Sequence, residues 1–278
     1  MGLKFSKMHG LGNDFMVVDG IHQRVNVDSK QIQKWADRHF GVGFDQFLLV
    51  EPAEQAGVDF KYRIFNADGS EVQQCGNGAR CFAKFVFDKG LTDKREIQVE
   101  TASGLIVLYL EENGWVRVNM GAPRFAPAAL PFEMPEEQAQ YLIEVEGETF
   151  EIGAVSMGNP HAVLRVSSVA EADVARLGAA IESHDLFPER VNVGFAELLD
   201  ESHIKLRVYE RGAAETLACG TGACAAMVVF RQQGLVKDEV IVSLPGGDLK
   251  IQWNGDPQSP VWMSGPAVTV FDGEMVDA

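Results

Sequence analysis

Residues 75–81 read Cys-Gly-Asn-Gly-Ala-Arg-Cys, and the same turn returns 144 residues later as Cys219-Gly220-Thr221-Gly222-Ala223. That offset also relates Ile64, Phe65, Asn66 and Glu71 to Val208, Tyr209, Glu210 and Glu215, and Gly90-Leu91 to Gly234-Leu235. Ile97, Leu105 and Gly121 match Ile241, Leu249 and Gly265 in the same way. Upstream the offset grows to 146, so that Gly12-Asn13 meets Gly158-Asn159 and Gln46 meets Asn192. A chain with this self-similarity must fold its halves to one plan. The period lies far above the roughly 20–50 residues of solenoid repeats, which makes this a domain duplication. The expected domains are residues 1–122 and 123–266, with a strand in 267–278 packing back onto the first.

Each repeated cysteine stands just ahead of a helix pattern. Residues 78–89 and 222–233 contain no proline and end at Gly90 and Gly234, the residue type that best stops a helix. Asn77 and Thr221 occupy matching positions and are good N-cap residue types. The stretch from Ala218 to Phe230 is almost wholly apolar, the mark of a helix enclosed on all sides. Strand patterns surround both helices, at Lys61 to Phe65, Glu96 to Glu100, Leu105 to Leu110 and Val116 to Asn119 in the first half. The expected fold is therefore α+β: two pseudo-symmetric domains, each a curved mixed sheet wrapped around a central helix. The cysteine turns match neither the dinucleotide fingerprint nor a Walker loop with its lysine, which argues against a nucleotide site.

Lys and Arg number 24 against 40 acids, a formal charge of −16, which speaks against nucleic acid or an anionic membrane as partner. No run of about 18 apolar residues occurs and the N-terminal segment has no secretory core, so a cytoplasmic location is expected. The four cysteines are not spaced as close zinc-binding pairs, and a chain of this size does not need disulfide staples, so no metal is expected. Cys81 and Cys224 fall inside apolar stretches and read as buried structural residues. Cys75 and Cys219 sit at helix N-termini, where unpaired N–H groups and the helix dipole favour a thiolate and attract carboxylates. Two equivalent thiols facing one carbon can remove a proton from one side and return one from the other. The duplication thus reads as a device for inverting a stereocentre, with the two titrations coupled.

Four segments carry a specific likeness: HGLGNDF at 9–15, NADGSEVQQCGNGARC at 66–81, GNPHAV at 158–163 and YERGAAETLACGTGACA at 209–225. Together they resemble the diaminopimelate epimerase family over nearly the whole chain. The resemblance implies an active site in a cleft between two domains, a homodimer, no pyridoxal phosphate or other cofactor, and interconversion of LL- and meso-diaminopimelate in lysine and cell-wall precursor biosynthesis. It implies that Cys75 and Cys219 are the acid/base pair, with His161 and Glu210 helping to set their protonation. Backbone groups at Gly76-Asn77 and Gly220-Thr221 would grip the carboxylate beside the reacting carbon. Asn13, Gln46, Asn66, Asn159, Asn192, Glu210 and Arg211 would read the rest of the substrate. Phe271 stands where some relatives carry Tyr, which bears on the dimer. A proline-racemase-like enzyme would share the two cysteines but have no second amino-acid centre to occupy Glu210 and Arg211. A phenazine-type isomerase would not need both thiols, and a metal or thiol-binding protein would not need the repeated polar positions.

Overall fold

The computed structural model describes residues 2–72, 76–102 and 104–276, so Cys75 lies outside the described residues. In chain order the first repeat contains β1 (Leu3–Gly10), β2 (Asn13–Asp19), α1 (Ser29–Ala36), β3 (Gln46–Pro52), β4 (Phe60–Asn66), β5 (Glu71–Val72), α2 (Gly76–Asp88), β6 (Glu96–Thr101), β7 (Gly104–Leu110) and β8 (Val116–Asn119). The second contains β9 (Tyr141–Val145), β10 (Glu148–Ser156), β11 (Pro160–Arg165), α3 (Val174–Glu182), β12 (Asn192–Asp200), β13 (His203–Glu210), β14 (Ala214–Thr216), α4 (Gly220–Gln232), β15 (Glu239–Leu244), β16 (Gly247–Gln252) and β17 (Trp262–Gly265), before a last strand, β18 (Val268–Met275). Two compact units result, Met1–Val118 with Gly265–Ala278, and Asn119–Ser264.

In the first unit β1 pairs antiparallel with β18 and with β2, β2 parallel with β3, β3 antiparallel with β4, β4 parallel with β6, and β6 antiparallel with β7. The second unit repeats this sequence of pairings from β9 through β16. Register is repeated as well: Phe15 opposes Gln46 in one unit and His161 opposes Asn192 in the other. A bidentate ion pair recurs across the β4–β5 and β13–β14 hairpins, Arg63 to Glu71 at 2.8 Å and Arg207 to Glu215 at 2.6 Å. The first unit's β18 takes the place that β9 takes in the second, although the two strands come from opposite ends of their repeats.

The central helices are enclosed by strands. Helix α4 packs against β10, β11, β12, β13, β15 and β16, and every residue from Gly222 to Phe230 is buried. Helix α2 packs against β1, β2, β3 and β7 and buries even Arg80, whose guanidinium donates to Asn77 Oδ1 at 2.9 Å and to the Pro266 carbonyl at 3.2 Å. Both helices end in the same closure: Gly90 at φ 67° donates to Phe87 and Leu91 to Val86, while Gly234 at φ 71° donates to Arg231 and Leu235 to Phe230. This is the paired-bond C-terminus that a left-handed glycine makes possible. The helices begin earlier than the residue pattern suggests, at Gly76 and Gly220. Asn77 and Thr221 therefore lie in the first helical turn, and the N-cap of α4 is Cys219 itself, extended at φ −124° and ψ 104°, with its carbonyl accepting from Ala223 at 3.0 Å. Among the described residues no helix is long and apolar enough to cross a membrane.

Candidate active site

Cys219 is buried, and its N-cap position aims Sγ back along the sheet toward the end of β13. There the thiol donates to Glu210 Oε2 at 3.1 Å, and the other Glu210 oxygen accepts from the Thr216 hydroxyl at 2.5 Å. The β13–β14 turn places Glu210 and Thr216 on either side of the same hairpin, which is why residues six apart meet. On its other side the sulfur lies 3.7 Å from Thr221 Oγ1, which accepts from Asn159 Nδ2 at 3.3 Å. Asn159 Oδ1 in turn accepts from His161 Nε2 at 3.1 Å. The result is one continuous polar chain, His161–Asn159–Thr221–Cys219–Glu210–Thr216. Gly222 keeps room for it, since a Cβ there would come within 3.2 Å of Sγ and 3.0 Å of Val208 Cγ2.

Burial pushes the Cys219 thiol well above its ordinary range, and the negative charge and hydrogen bond of Glu210 push the same way. Contacts to the Thr221 hydroxyl and the Gly222 amide act in the opposite direction but are outweighed. This corrects, at Cys219, the expectation that the helix N-terminus lowers the pKa of each cysteine. For Cys219 burial and an adjacent carboxylate outweigh the helix N-terminus and favour the thiol form.

His161 is buried on β11, and desolvation, assisted by the nearby Arg211 charge, lowers its pKa to about 3. The imidazole is neutral and serves as a fixed donor to Asn159. It reaches Cys219 through Asn159 and Thr221, not by direct contact. The unfolded chain binds a proton at this group near pH 6.5 while the folded chain does not until about pH 3, so its contribution to stability is present above pH 6.5 and lost as pH falls through that window. Between pH 7 and 5 wild type should lose about 2 kcal/mol more unfolding free energy than His161→Gln in urea titrations. Parallel pH profiles for the two proteins would contradict the neutral-histidine assignment.

Asn192, opposite His161 on β12, is also buried. Its Nδ2 donates to the Pro160 carbonyl at 2.9 Å and its Oδ1 accepts from the Arg211 backbone at 3.0 Å. The Arg211 side chain is exposed, anchored at one nitrogen by the Glu189 carbonyl at 3.1 Å.

The first unit carries a corresponding polar group at matching positions. Asn77 Nδ2 donates to Asn13 Oδ1 at 3.1 Å, the counterpart of Asn159 with Thr221. Asn13 also donates to Asp45 at 3.0 Å, and Gln46 Nε2 donates to Asn66 Oδ1 at 3.0 Å. Gln46 Oε1 is buried and has no hydrogen-bond partner among the described residues. An orphaned acceptor of this kind costs about 1–3 kcal/mol, which a donor arriving on a ligand would offset. Asp14, beside Asn13, is held well below the usual carboxylate range, its burial being outweighed by Arg38, Lys7 and the Asp45 amide. Gly76 opens α2, while Cys75 falls outside the described residues. Cys81 and Cys224 are buried inside the two helices. Among the described residues no three His, Cys, Asp or Glu side chains gather as a metal site.

Thr216 is the residue the repeat pattern does not announce. Its counterpart in the first repeat is Val72, so it lacks the mirrored polar signal that marks Asn13 with Asn159 or Gln46 with Asn192. A polar residue present in only one copy, next to a shared turn, is the signal that finds it.

The family profile described as diaminopimelate epimerase matches residues 5–126 and 153–270. A diaminopimelate epimerase of Stutzerimonas stutzeri is 58% identical over 275 residues, covering 99% of each chain, and one of Nitrosomonas europaea is 59% identical over 273 residues, covering 98% of each. Among solved structures, a hydroxyproline epimerase from Agrobacterium vitis with bound trans-4-hydroxy-L-proline superposes at a TM-score of 0.68, with 17% identity over 99% of this chain and 93% of that one. A phenazine biosynthesis protein from Bacillus anthracis superposes at 0.69, also at 17% identity, over 99% of each chain. Those two share the fold; the near-full-length matches at almost 60% identity and the profile over both repeats show that this chain belongs to the diaminopimelate epimerase family.

Proposed function

We propose that this protein is an isomerase that interconverts LL-2,6-diaminopimelate and meso-diaminopimelate with two cysteines, Cys75 and Cys219, acting on opposite faces of one carbon. The observation that carries the reading is the buried Cys219 thiol, held 3.1 Å from Glu210 at a helix N-terminus with its pKa pushed up by burial and by that carboxylate, at the position where the first repeat carries Cys75. In the direction for which Cys219 is the acid, the Cα–H bond breaks and its proton passes to the Cys75 thiolate. The electron pair left on carbon takes the Cys219 proton on the opposite face, leaving Cys219 as thiolate. Reversal exchanges the two roles. Free amides at the first turns of α2 and α4, around Gly76-Asn77 and Gly220-Thr221, suit the adjacent carboxylate.

The far amino-acid centre is assigned to Asn13, Asn66, Asn159, Asn192 and Arg211, with the orphaned Gln46 Oε1 and the Glu210 carboxylate accepting from ammonium groups. No cofactor takes part in these steps. The place of the enzyme is lysine and cell-wall precursor biosynthesis in the cytoplasm. A homodimer is part of the reading, supported by Val268, Val270 and Phe271, which leave apolar surface exposed on β18.

The direct test incubates purified protein with LL-diaminopimelate, without pyridoxal phosphate or added metal, and follows the meso isomer by chiral chromatography. Approach to an equilibrium mixture of isomers is expected. Absence of meso product, or a need for added cofactor, would sink the reading.

Thr216 supplies a finer check. By donating to one Glu210 oxygen it leaves the other aimed at Cys219. Thr216→Val should lower kcat/KM about tenfold, the scale of one charge-assisted hydrogen bond, and Thr216→Ser should restore most of it. A valine variant as active as wild type would show that Glu210 needs no such support.

A further inference from the structure

Glu182, the last residue of α3, is only 5% exposed, and its carboxylate is absorbed by a task that the proposed chemistry does not use. Oε1 accepts from the Gly212 amide at 3.1 Å, and both oxygens accept from Arg190 at 3.2 and 3.3 Å. Its backbone carbonyl also accepts from Val191 at 3.2 Å. These contacts bracket Arg211 on both sides. Gly212 is its chain neighbour, and Arg190 follows Glu189, whose carbonyl holds the Arg211 guanidinium. Arg190 itself sits at φ 63°, a left-handed conformation that a non-glycine residue adopts at a cost and that the Glu182 pairing helps to hold.

A purely structural role explains this poorly. The Arg190 side chain is 60% exposed, so it only partly offsets the cost of burying the Glu182 carboxylate, and an apolar residue would fill the same place without that cost. The duplication provides an internal control: the counterpart of Glu182 is Ala36, buried at the end of α1, and the counterpart of Arg211 is Ala67. The first repeat forms the same helix, strand register and hairpin without the carboxylate. The buried glutamate occurs only in the repeat that carries the arginine.

We propose that Glu182 is a positioning residue that fixes Arg211 to receive the distal carboxylate of the substrate and so contributes to selectivity for a substrate with two amino-acid centres; this rests on the epimerase reading above. The test compares wild type, Glu182→Ala and Glu182→Gln, each also combined with Arg211→Ala, in kcat, KM for LL-diaminopimelate and thermal midpoint. Glu182→Ala should raise KM about tenfold with a much smaller effect on kcat, as loss of uniform binding does. Glu182→Gln should fall between, since its amide oxygen still accepts from Gly212, and it carries the test if the alanine variant fails to fold. In the Arg211→Ala background neither change at 182 should raise KM further, because interacting residues are non-additive. An unchanged KM in both variants, or the same fold-increase with and without Arg211, would overturn the assignment. Wild-type protein that fails to turn over LL-diaminopimelate would instead overturn the epimerase reading, and Glu182's role with it.

Discussion

Cys219→Ala should abolish epimerisation while unit 2 keeps its fold. The backbone bond from Ala223 to residue 219 that starts α4 does not involve the side chain, and the enclosing strands pack on residues further along the helix. What disappears is the acid that protonates carbon on one face. General acid–base groups typically contribute about 10²–10⁴-fold, and a carbon acid as weak as an amino-acid α-carbon should put the loss at or above that range. Cys75→Ala should behave in the same way through loss of the opposing base. Cys219→Ser keeps a hydroxyl that can donate to Glu210 and should retain a trace of turnover. Steady-state rates with purified variants, checked against unchanged circular dichroism, decide the matter; near-wild-type turnover by either alanine variant contradicts a two-cysteine mechanism.

Arg211→Ala should lower kcat/KM for LL-diaminopimelate by roughly ten- to a hundredfold, since loss of a charge-assisted hydrogen bond costs about 1.5–3 kcal/mol. The side chain is exposed and tethered by a single carbonyl, so it has donors left for a carboxylate. Arg211→Lys should recover little, because an ammonium cannot reproduce the planar fork of a guanidinium. An independent readout is available at His161, whose pKa is depressed partly by the Arg211 charge. In the alanine variant this histidine should titrate at higher pH by NMR. An unchanged kcat/KM would leave Arg211 as a surface residue.

Much of this was legible in the chain because duplication writes each element twice. The two central helices and their glycine stops emerge from the offset of 144 and paired polar positions such as Asn13 with Asn159 from that of 146, and the structure brings Asn13 to Asn77 as it brings Asn159 to Thr221. The match between β9 and β18 was invisible to any offset, since the two strands flank their repeats from opposite ends of the chain. The raised pKa of Cys219 was missed for a different reason. Local sequence shows a helix N-terminus, but Glu210 reaches the sulfur from the preceding hairpin and the burial comes from long-range packing. N-cap preference also misled at Thr221, because the cap is Cys219, a residue type that is not a favoured cap and whose side chain makes no capping hydrogen bond. Thr216 and Glu182 share one cause of concealment: their counterparts are Val72 and Ala36, so a search for shared residues passes over them.

The two-base mechanism is tested most directly by running the reaction in deuterium oxide and analysing both pools early in turnover. If one cysteine removes the α-proton and the other, already exchanged with solvent, delivers its own, newly formed meso-diaminopimelate carries one deuterium at the inverted carbon while remaining LL-diaminopimelate carries none. Product that retains protium at that carbon would mean that one base returns the proton it took, and substrate that gains deuterium as fast as product forms would mean that one base exchanges with solvent and reprotonates either face; either result would contradict it.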